Sequence, residues 1–461
     1  MKLPTYPPPP YRHQINTSAQ IMRGPSCFVA SDPGTGKTRS VLLAFEQTVN
    51  CCMVVFCPKS IMLPAWGSDI DKFAPKLMWS IAKAPTAKRL KAFHPEVDIV
   101  IINHDAAKWL NQNIKVLTEW IGERESWLCI DESTAFKNPT SQRTKAMVAL
   151  ADVFNKRIAM SGFPTPNHAM EMWSQVRIID GGQRMGRNYY QTRVRIQKPV
   201  QQGQFVNWVD QDDAQEKIFN AISDICVRYK LEEVLDMPEH INRTLNVDTS
   251  TKFNNMYMDL ANEAYIALSD GEISAVNKAV LVNKLLQMCS GAAYNDEGEY
   301  SLIHPERYEL IMDLVGERQQ SLVAFLWKHQ HTELTRLADS LHIRHCSITS
   351  DMSPEERNRV VEQFQAGLFQ VLFAHPQSAG HGLTLTKARS VIWSSPTWSS
   401  EQYVQFNRRI YRAGQNNRTE VINIAANGTV EAGVYDKLTG KIDQSTDLLE
   451  LFENLQTARA A

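Results

Sequence analysis

The 461-residue chain has no long apolar run, no paired cysteines and almost no net charge. No stretch approaches the ~18–20 apolar residues of a membrane-spanning helix, which argues against a membrane protein. The eight cysteines are scattered, without a C-x-x-C pair. Cys51, Cys52 and Cys57 lie on or beside one apolar run and read as core. That usage argues against a zinc site and for a reducing compartment, the cytoplasm. Residues 1–10 end in four prolines and lack an apolar segment, so they do not read as a secretory signal. Lys and Arg total 49 against 50 Asp and Glu, giving a net charge of −1. Any nucleic-acid binding must therefore come from a local basic surface. No short-period repeat is present.

What is there is ordinary globular composition, 43% hydrophobic and 21% charged, and length enough for two or three domains with full cores. The chain is organised around Ser31-Asp32-Pro33-Gly34-Thr35-Gly36-Lys37-Thr38. It follows the apolar run Cys27–Ala30 and precedes a helical pattern from Arg39 to Gln47. Strand, glycine turn and helix make the setting of a phosphate-binding loop. Gly34 and Gly36 let the loop curl so that its N–H groups point inward at phosphate oxygens, and the helix start adds partial positive charge; Asp32, Pro33, Gly34, Thr35 and Gly36 form the nucleotide-binding loop, Pro33 without an N–H of its own. Lys37 can reach the β and γ phosphates, and the Thr38 hydroxyl can ligate Mg²⁺. The usual pattern has Gly where Ser31 stands. Upstream, Tyr11-Arg12-His13-Gln14 opens a helical stretch. A glutamine there can hydrogen-bond adenine, although by itself a surface helix start is the better reading.

Four further strand-like runs follow, Met53–Phe56, Asp98–Ile102, Trp127–Ile130 and Arg157–Met160, separated by helical stretches. Near-continuous apolar strands of this kind indicate a parallel sheet covered on both faces. Ligands then bind beyond the carboxyl ends of the strands. Those ends read Cys57-Pro58-Lys59-Ser60, Asn103-His104-Asp105, Asp131-Glu132-Ser133-Thr134 and Ser161–Asn167. An Asp-Glu pair at a strand end, downstream of a phosphate loop, suits ATP hydrolysis. Asp131 would hold Mg²⁺ and Glu132 would polarise the attacking water. From Gly181 the composition shifts to Arg184, Arg187, Arg193, Arg195 and Lys198 with Tyr189 and Tyr190 and no acidic residue. A phosphodiester-binding surface and a solvated basic loop are equally good readings.

Residues 213 to about 300 read as mostly helical, with one or two long helices over Lys252–Ser290 and a polar, hinge-like stretch at 297–306. A second alternating series then supplies Leu322–Leu326, Arg344–Ile348, Gln370–Ala374, Ser390–Trp393 and Glu420–Ile424, a second parallel sheet without a phosphate loop. The expected architecture is α/β, with two sheet domains joined by a helical insertion: 1–212, 213–304 and 305–461. Gln405–Gln415 has helical character, which places Arg409 and Arg412 on one face. Two guanidinium groups so placed can stabilise charge on a γ-phosphate, worth on the order of 10³–10⁵ in rate. In Ser378–Leu385, Gly380 and Gly382 flank His381 and allow close backbone approach to a ligand.

These motifs, in this order, resemble helicase superfamily two, and most closely the Swi/Snf-like DNA translocases in their compact bacteriophage and prophage form. Residues 31–38 resemble motif I, Pro58-Lys59-Ser60 motif Ia, Asn103-His104-Asp105 motif Ib, and Asp131–Thr134 with Lys137-Asn138 the DEAD/DEAH-type motif II. Ser161–Asn167 resembles motif III, Val323–Lys328 motif IV, Ser378–Leu385 motif V and Gln405–Gln415 motif VI; Gly428–Glu431 resembles the segment after it. The resemblance implies two RecA-like domains that close on ATP and Mg²⁺ and step along DNA, duplex favoured. It implies that Gln14 reads adenine, Gln405 lies near the γ-phosphate, and Arg409 and Arg412 are arginine fingers. Lys59, Ser60, His104 and Thr384 would face the nucleic-acid backbone, with Arg184 and Arg187 as further candidates. A monomer in a bacterial host, working beside phage or host replication or recombination proteins, fits the family. Ser31, Phe163 and Thr384 depart from its usual Asp, hydroxyl residue and Asn. The last two bear on how tightly hydrolysis is coupled to movement. An RNA helicase and an ATP-switched clamp without motor activity are the alternative readings.

Overall fold

The computed structural model describes residues 8–165, 168–202, 205–269, 275–294, 298–379 and 383–441. The chain divides into two compact units, Met1–Val200 with Asn207–Asp236 and Gln201–Val206 with Met237–Ala461.

The first unit is built on β1 (Ser26–Val29), β2 (Cys51–Cys57), β3 (Trp79–Ile81), β4 (Ile99–Asn103), β5 (Glu125–Asp131) and β6 (Lys156–Met160). A two-stranded ribbon, β7 (Gln197–Gln202) and β8 (Phe205–Asp210), precedes the short β9 (Cys226–Val227). The main sheet runs β3-β4-β2-β5-β6-β1-β9, with every pair parallel. Alternate residues of its central strands feed two cores. Val54, Phe56, Val100, Leu128 and Ile130 pack on one face, and Met53, Val55, Ile99, Trp127 and Cys129 on the other. Two covered faces explain why these strands are apolar at successive positions rather than alternate ones. The five expected runs are β1, β2, β4, β5 and β6. Sequence patterning missed β3 and β9, edge strands of three and two residues, too short to show a period.

The second unit holds β10 (His240–Val247), the antiparallel pair β11 (Ala292–Tyr294) and β12 (Tyr300–Leu302), then β13 (Ser321–Ala324), β14 (His345–Ile348), β15 (Val371–Ala374), β16 (Ser390–Trp393) and β17 (Thr419–Ala426). Its parallel sheet runs β10-β17-β16-β13-β15-β14. The five runs expected in the second half are β13–β17. The largely helical reading of 213 to about 300 is corrected at three places, one of them the short β11 at its end. Helices Ala214–Ile222, Thr251–Ser269 and Ala275–Cys289 form, but β9 and β10 lie among them. β10 escaped notice because Asn242, Arg243 and Thr244 interrupt its apolar pattern, as an exposed edge strand allows. Each unit is α/β, a parallel sheet packed with helices, as expected. Among the described residues no helix is long and apolar enough to cross a membrane.

All eight cysteines are free thiols, and burial pushes Cys27 up to about 12, so it is held as an inert core group. Inside the second unit the fully buried Arg307 pairs with the equally buried Glu431. The guanidinium also donates to the carbonyls of Ser394 and Ile424, and the carboxylate accepts from Ala426 N. Helix, strand ends and the turn after β17 are thereby tied at one point. Removing one partner leaves a buried charge uncompensated. Glu431→Gln should cost about 3–5 kcal/mol, read as a lower denaturation midpoint for this unit.

Candidate active site

The loop after β1 leads through Gly34 and Gly36 into α2 (Lys37–Phe45). Both glycines have positive φ, 90° and 80°, and a Cβ on Gly36 would collide with the Gln14 amide. Thr35 Oγ1 donates to Asp32 O at 2.8 Å, closing the turn. Ser31, in the place of the usual Gly, accepts from Tyr229 N through its hydroxyl at 3.1 Å, and Asp32 Oδ2 accepts from Leu231 N at 3.2 Å. The departure thus ties the loop to the segment after β9. Lys37 Nζ donates to Ser31 O at 2.9 Å and Asp32 O at 3.2 Å, folded into its own loop. Thr38 is half-buried one residue further on.

The helix α1 (Arg12–Met22) braces this loop. Gln14 Oε1 accepts from Tyr11 N at 3.1 Å, and Gln14 Nε2 donates to Thr35 O at 3.1 Å. The amide expected to read adenine spends both its ends on the helix start and the loop. His13, not singled out in the sequence, reaches the same Thr35 carbonyl with Nε2 at 2.8 Å and stacks on Tyr11. Its only sequence signal is its place next to Gln14.

β5 and β1 flank β6, so Asp131 and the phosphate loop leave the same edge of the sheet two strands apart, about 10 Å. Asp131 is buried, at 8% exposure. Its Oδ2 accepts the indole N–H of Trp66 at 2.9 Å and its Oδ1 accepts Glu132 N at 3.0 Å. Burial, and then the neighbouring Glu132 charge, push the Asp131 carboxyl up to about 6; Lys37, Trp66 and the Glu132 N–H act in the opposite direction. Glu132 is half-buried and sits in the left-handed region, φ 52° and ψ 59°. That conformation costs an L-residue roughly 1–2 kcal/mol. Past it, Ser133 Oγ donates to Gln175 Oε1 at 2.6 Å, and Gln175 Nε2 donates to Pro164 O at 2.7 Å. Gln175, on the helix Glu171–Asp180, thus joins the turns after β5 and β6. A Cβ on Gly162 would come within 2.6 Å of Pro33, so the turn after β6 lies against the phosphate loop. Asn167 lies outside the described residues.

The donor set fits a magnesium nucleotide. Inward-curling glycine backbone, a lysine and a hydroxyl suit phosphates, and a single carboxylate suits a cation that takes its remaining ligands from phosphate and water. Among the described residues no cluster of three or more His, Cys, Asp or Glu could make an all-protein metal cage.

The expected nucleic-acid contacts fare unevenly. Lys59 is exposed and Ser60 half-buried in the turn after β2, and Thr384 is half-buried. His104 is corrected. It is buried, its Nε2 lies 2.8 Å from the Asp131 carbonyl, and its ring meets Phe136 edge-on. It supports the backbone of the acidic turn rather than presenting itself at the surface. Arg184 is engaged by carboxylates of its own unit. Its guanidinium grips Asp224 with two bonds, 2.8 and 2.6 Å, and lies 3.6 Å from Asp180. Arg187 stays exposed, donating to Gly181 O at 3.2 Å. The segment lacks acidic residues in sequence but meets them in space.

In the second unit the helix expected over 405–415 stops early. It spans Ser400–Asn407, and the chain then turns. Gln415 Nε2 binds the carbonyls of Thr386, Ala388 and Ile410, which holds the turns in place of a helix. Arg409 and Arg412 still converge, both donating to Leu383 O, at 3.3 and 3.1 Å. Gln405 is buried, its amide donating to Glu401. Gly382 lies outside the described residues.

The sequence matches two family models, an SNF2-related domain over residues 14–291 and a helicase conserved C-terminal domain over 306–414. The chain belongs to the SNF2-related family. It is an enzyme of the helicase- and translocase-like class. A "putative protein p41" from a phage of an Acyrthosiphon pisum secondary endosymbiont is 28% identical, over 95% of this chain and 96% of the relative. An uncharacterized ATP-dependent helicase of Mycoplasma pneumoniae is 23% identical over 88% of this chain, and a putative ATP-dependent helicase/translocase of Bacillus subtilis is 22% identical over 90%. The chain spans only 38% and 45% of those two. Among solved structures, a Sulfolobus solfataricus SWI2/SNF2 ATPase core in complex with dsDNA aligns with a TM-score of 0.44 and 21% identity, covering 97% of this chain and 95% of that one.

The left-handed Glu132 gives a direct test of the local geometry. Glu132→Ala and Glu132→Gly both remove the carboxylate, but only the first keeps a Cβ in this conformation. Glu132→Gly should be the more stable of the two by about 1 kcal/mol in chemical denaturation.

Proposed function

We propose that this chain hydrolyses ATP with Mg²⁺ and couples hydrolysis to movement along duplex DNA. The reading is carried by Asp131 and Glu132 emerging beside the phosphate loop from one edge of a parallel sheet. Lys37 and Thr38 bind the phosphates, and Asp131 would hold the Mg²⁺. Glu132 stands on the next residue, turned by its left-handed backbone, and takes the proton of the attacking water. Magnesium, when bound, neutralises phosphate charge and fixes the phosphate oxygens. Arg409 and Arg412, already drawn together by Leu383 O, stabilise charge developing on the γ-phosphate. Gln405 and the backbone at Gly382 contribute from the same unit.

Lys59, Ser60, Arg187 and Thr384 are the contacts this reading gives to the DNA backbone. Family membership and the motif order favour DNA, and the names of the Mycoplasma and Bacillus relatives agree with an ATP-dependent helicase. Free thiols suit a reducing cytoplasm, here that of a bacterial host, with the protein a monomer beside replication or recombination proteins. A second reading, an ATP-switched clamp, rests on Phe163 and Thr384, which replace the usual polar residues at two coupling positions.

Glu132→Gln should retain nucleotide binding and lose at least about 10²-fold in turnover, measured by fluorescent-nucleotide titration and phosphate release. Full turnover in that variant contradicts the catalytic assignment. Triplex displacement separates motor from clamp: a translocase strips the third strand, whereas a clamp hydrolyses ATP and leaves it in place.

A further inference from the structure

Trp66 has no place in the chemistry described above, yet it is fully buried with its indole N–H 2.9 Å from Asp131 Oδ2. An indole nitrogen only donates. A carboxylate has two oxygens and about four lone-pair positions. In this chain one position on each oxygen is already filled, by Trp66 on Oδ2 and by the Glu132 backbone on Oδ1. The carboxylate plane is therefore set from both sides, and the positions that remain are those open to a cation. His104 fixes the same residue a third time, through its backbone carbonyl.

The indole is itself held rigidly. It projects from the π-helical turn Met62–Gly67, and its ring packs in the apolar core with Ile61, Met62 and Ile70. Such wide turns are an uncommon local conformation that recurs at functional sites. The turn is closed against Trp79, whose ring lies so near Gly67 that a Cβ there would come within 2.7 Å of it. Trp79 spends its own N–H on Asp71, at 2.8 Å, and does not reach Asp131. A large aromatic residue in this core could have been Phe or Leu for packing alone. Beyond packing, the N–H gives the buried carboxylate a donor and fixes the direction of Oδ2.

We propose that Trp66 is a positioning residue, whose indole N–H orients the Asp131 carboxylate for a divalent cation bound with nucleotide. The inference rests on the assignment of Asp131 to the metal in the proposed function. Groups that orient a metal ligand typically contribute 10–100-fold in metal affinity.

The test replaces Trp66 in the full chain by β-(3-benzothienyl)alanine, which keeps the ring shape and exchanges N–H for sulfur. Trp66→Phe serves as the genetic counterpart, Trp79→Phe as a control for loosening of the same turn, and Asp131→Asn as the loss of the ligand. Binding of N-methylanthraniloyl-ADP is titrated in EDTA and across a Mg²⁺ series, beside the Mg²⁺ dependence of phosphate release. The benzothienyl protein should bind nucleotide normally in EDTA. It should need about 10–100-fold more Mg²⁺ for half-maximal tightening of binding and for half-maximal hydrolysis. Trp79→Phe should keep the wild-type Mg²⁺ requirement. A wild-type Mg²⁺ requirement in the benzothienyl protein, with Asp131→Asn unresponsive to Mg²⁺, overturns the role of Trp66 and leaves that of Asp131 standing. An equal shift in Trp79→Phe also overturns it, because turn packing would then be the cause. A normal Mg²⁺ response in Asp131→Asn instead removes the metal assignment on which the inference stands.

Discussion

A carboxylate buried at the end of a parallel strand is the constraint around which the first unit is arranged. Asp131 sits at 8% exposure, and a charge so placed is expensive unless donors surround it. The chain supplies two, one from Trp66 and one from the next peptide. Each has structural consequences. The tryptophan requires a wide turn after β2, with Gly67 leaving room for Trp79. The peptide N–H comes with Glu132 in a left-handed conformation, which starts the tight turn Ser133–Phe136. From there Ser133 passes through Gln175 to the turn after β6, and Gly162 in that turn rests on Pro33 of the phosphate loop. The loops following β1, β5 and β6 are thus one hydrogen-bonded and packed assembly, so a change at one is felt at the others.

Much of this was legible in the sequence, because the strands carrying the site are buried on both faces. β1, β2, β4, β5 and β6 are apolar at successive positions, and each ends in a polar cluster, so both the sheet and its functional edge could be read. The glycines of the phosphate loop were readable for a similar reason, since positive φ at Gly34 and Gly36 leaves little choice of residue. The edge strands β3, β9 and β10 carry weak patterns, since an edge exposed to water tolerates polar and short segments.

What one sequence could not show were pairings between distant residues. Trp66 and Asp131 are 65 positions apart, Ser133 and Gln175 are 42 apart, and Arg184 and Asp224 are 40 apart. The last explains how Arg184, in a segment without acidic residues, is nonetheless held by a carboxylate. His104 illustrates the converse. A polar residue at a strand end reads as surface, but here the edge folds over it and its ring serves a carbonyl. In the second unit, helix periodicity brought Arg409 and Arg412 together for the wrong reason. The helix ends at Asn407, and the shared Leu383 carbonyl, not a helical face, makes the two guanidinium groups converge.

DNA-driven ATP hydrolysis is the activity we propose for this chain. Its most direct test is steady-state ATP hydrolysis with no nucleic acid, with single-stranded DNA, with duplex DNA and with RNA, using Glu132→Gln as the blank. Duplex DNA should stimulate hydrolysis strongly over a low basal rate. Hydrolysis indifferent to all three nucleic acids would contradict it, and stimulation by RNA or single strands alone would contradict the duplex-tracking form of it.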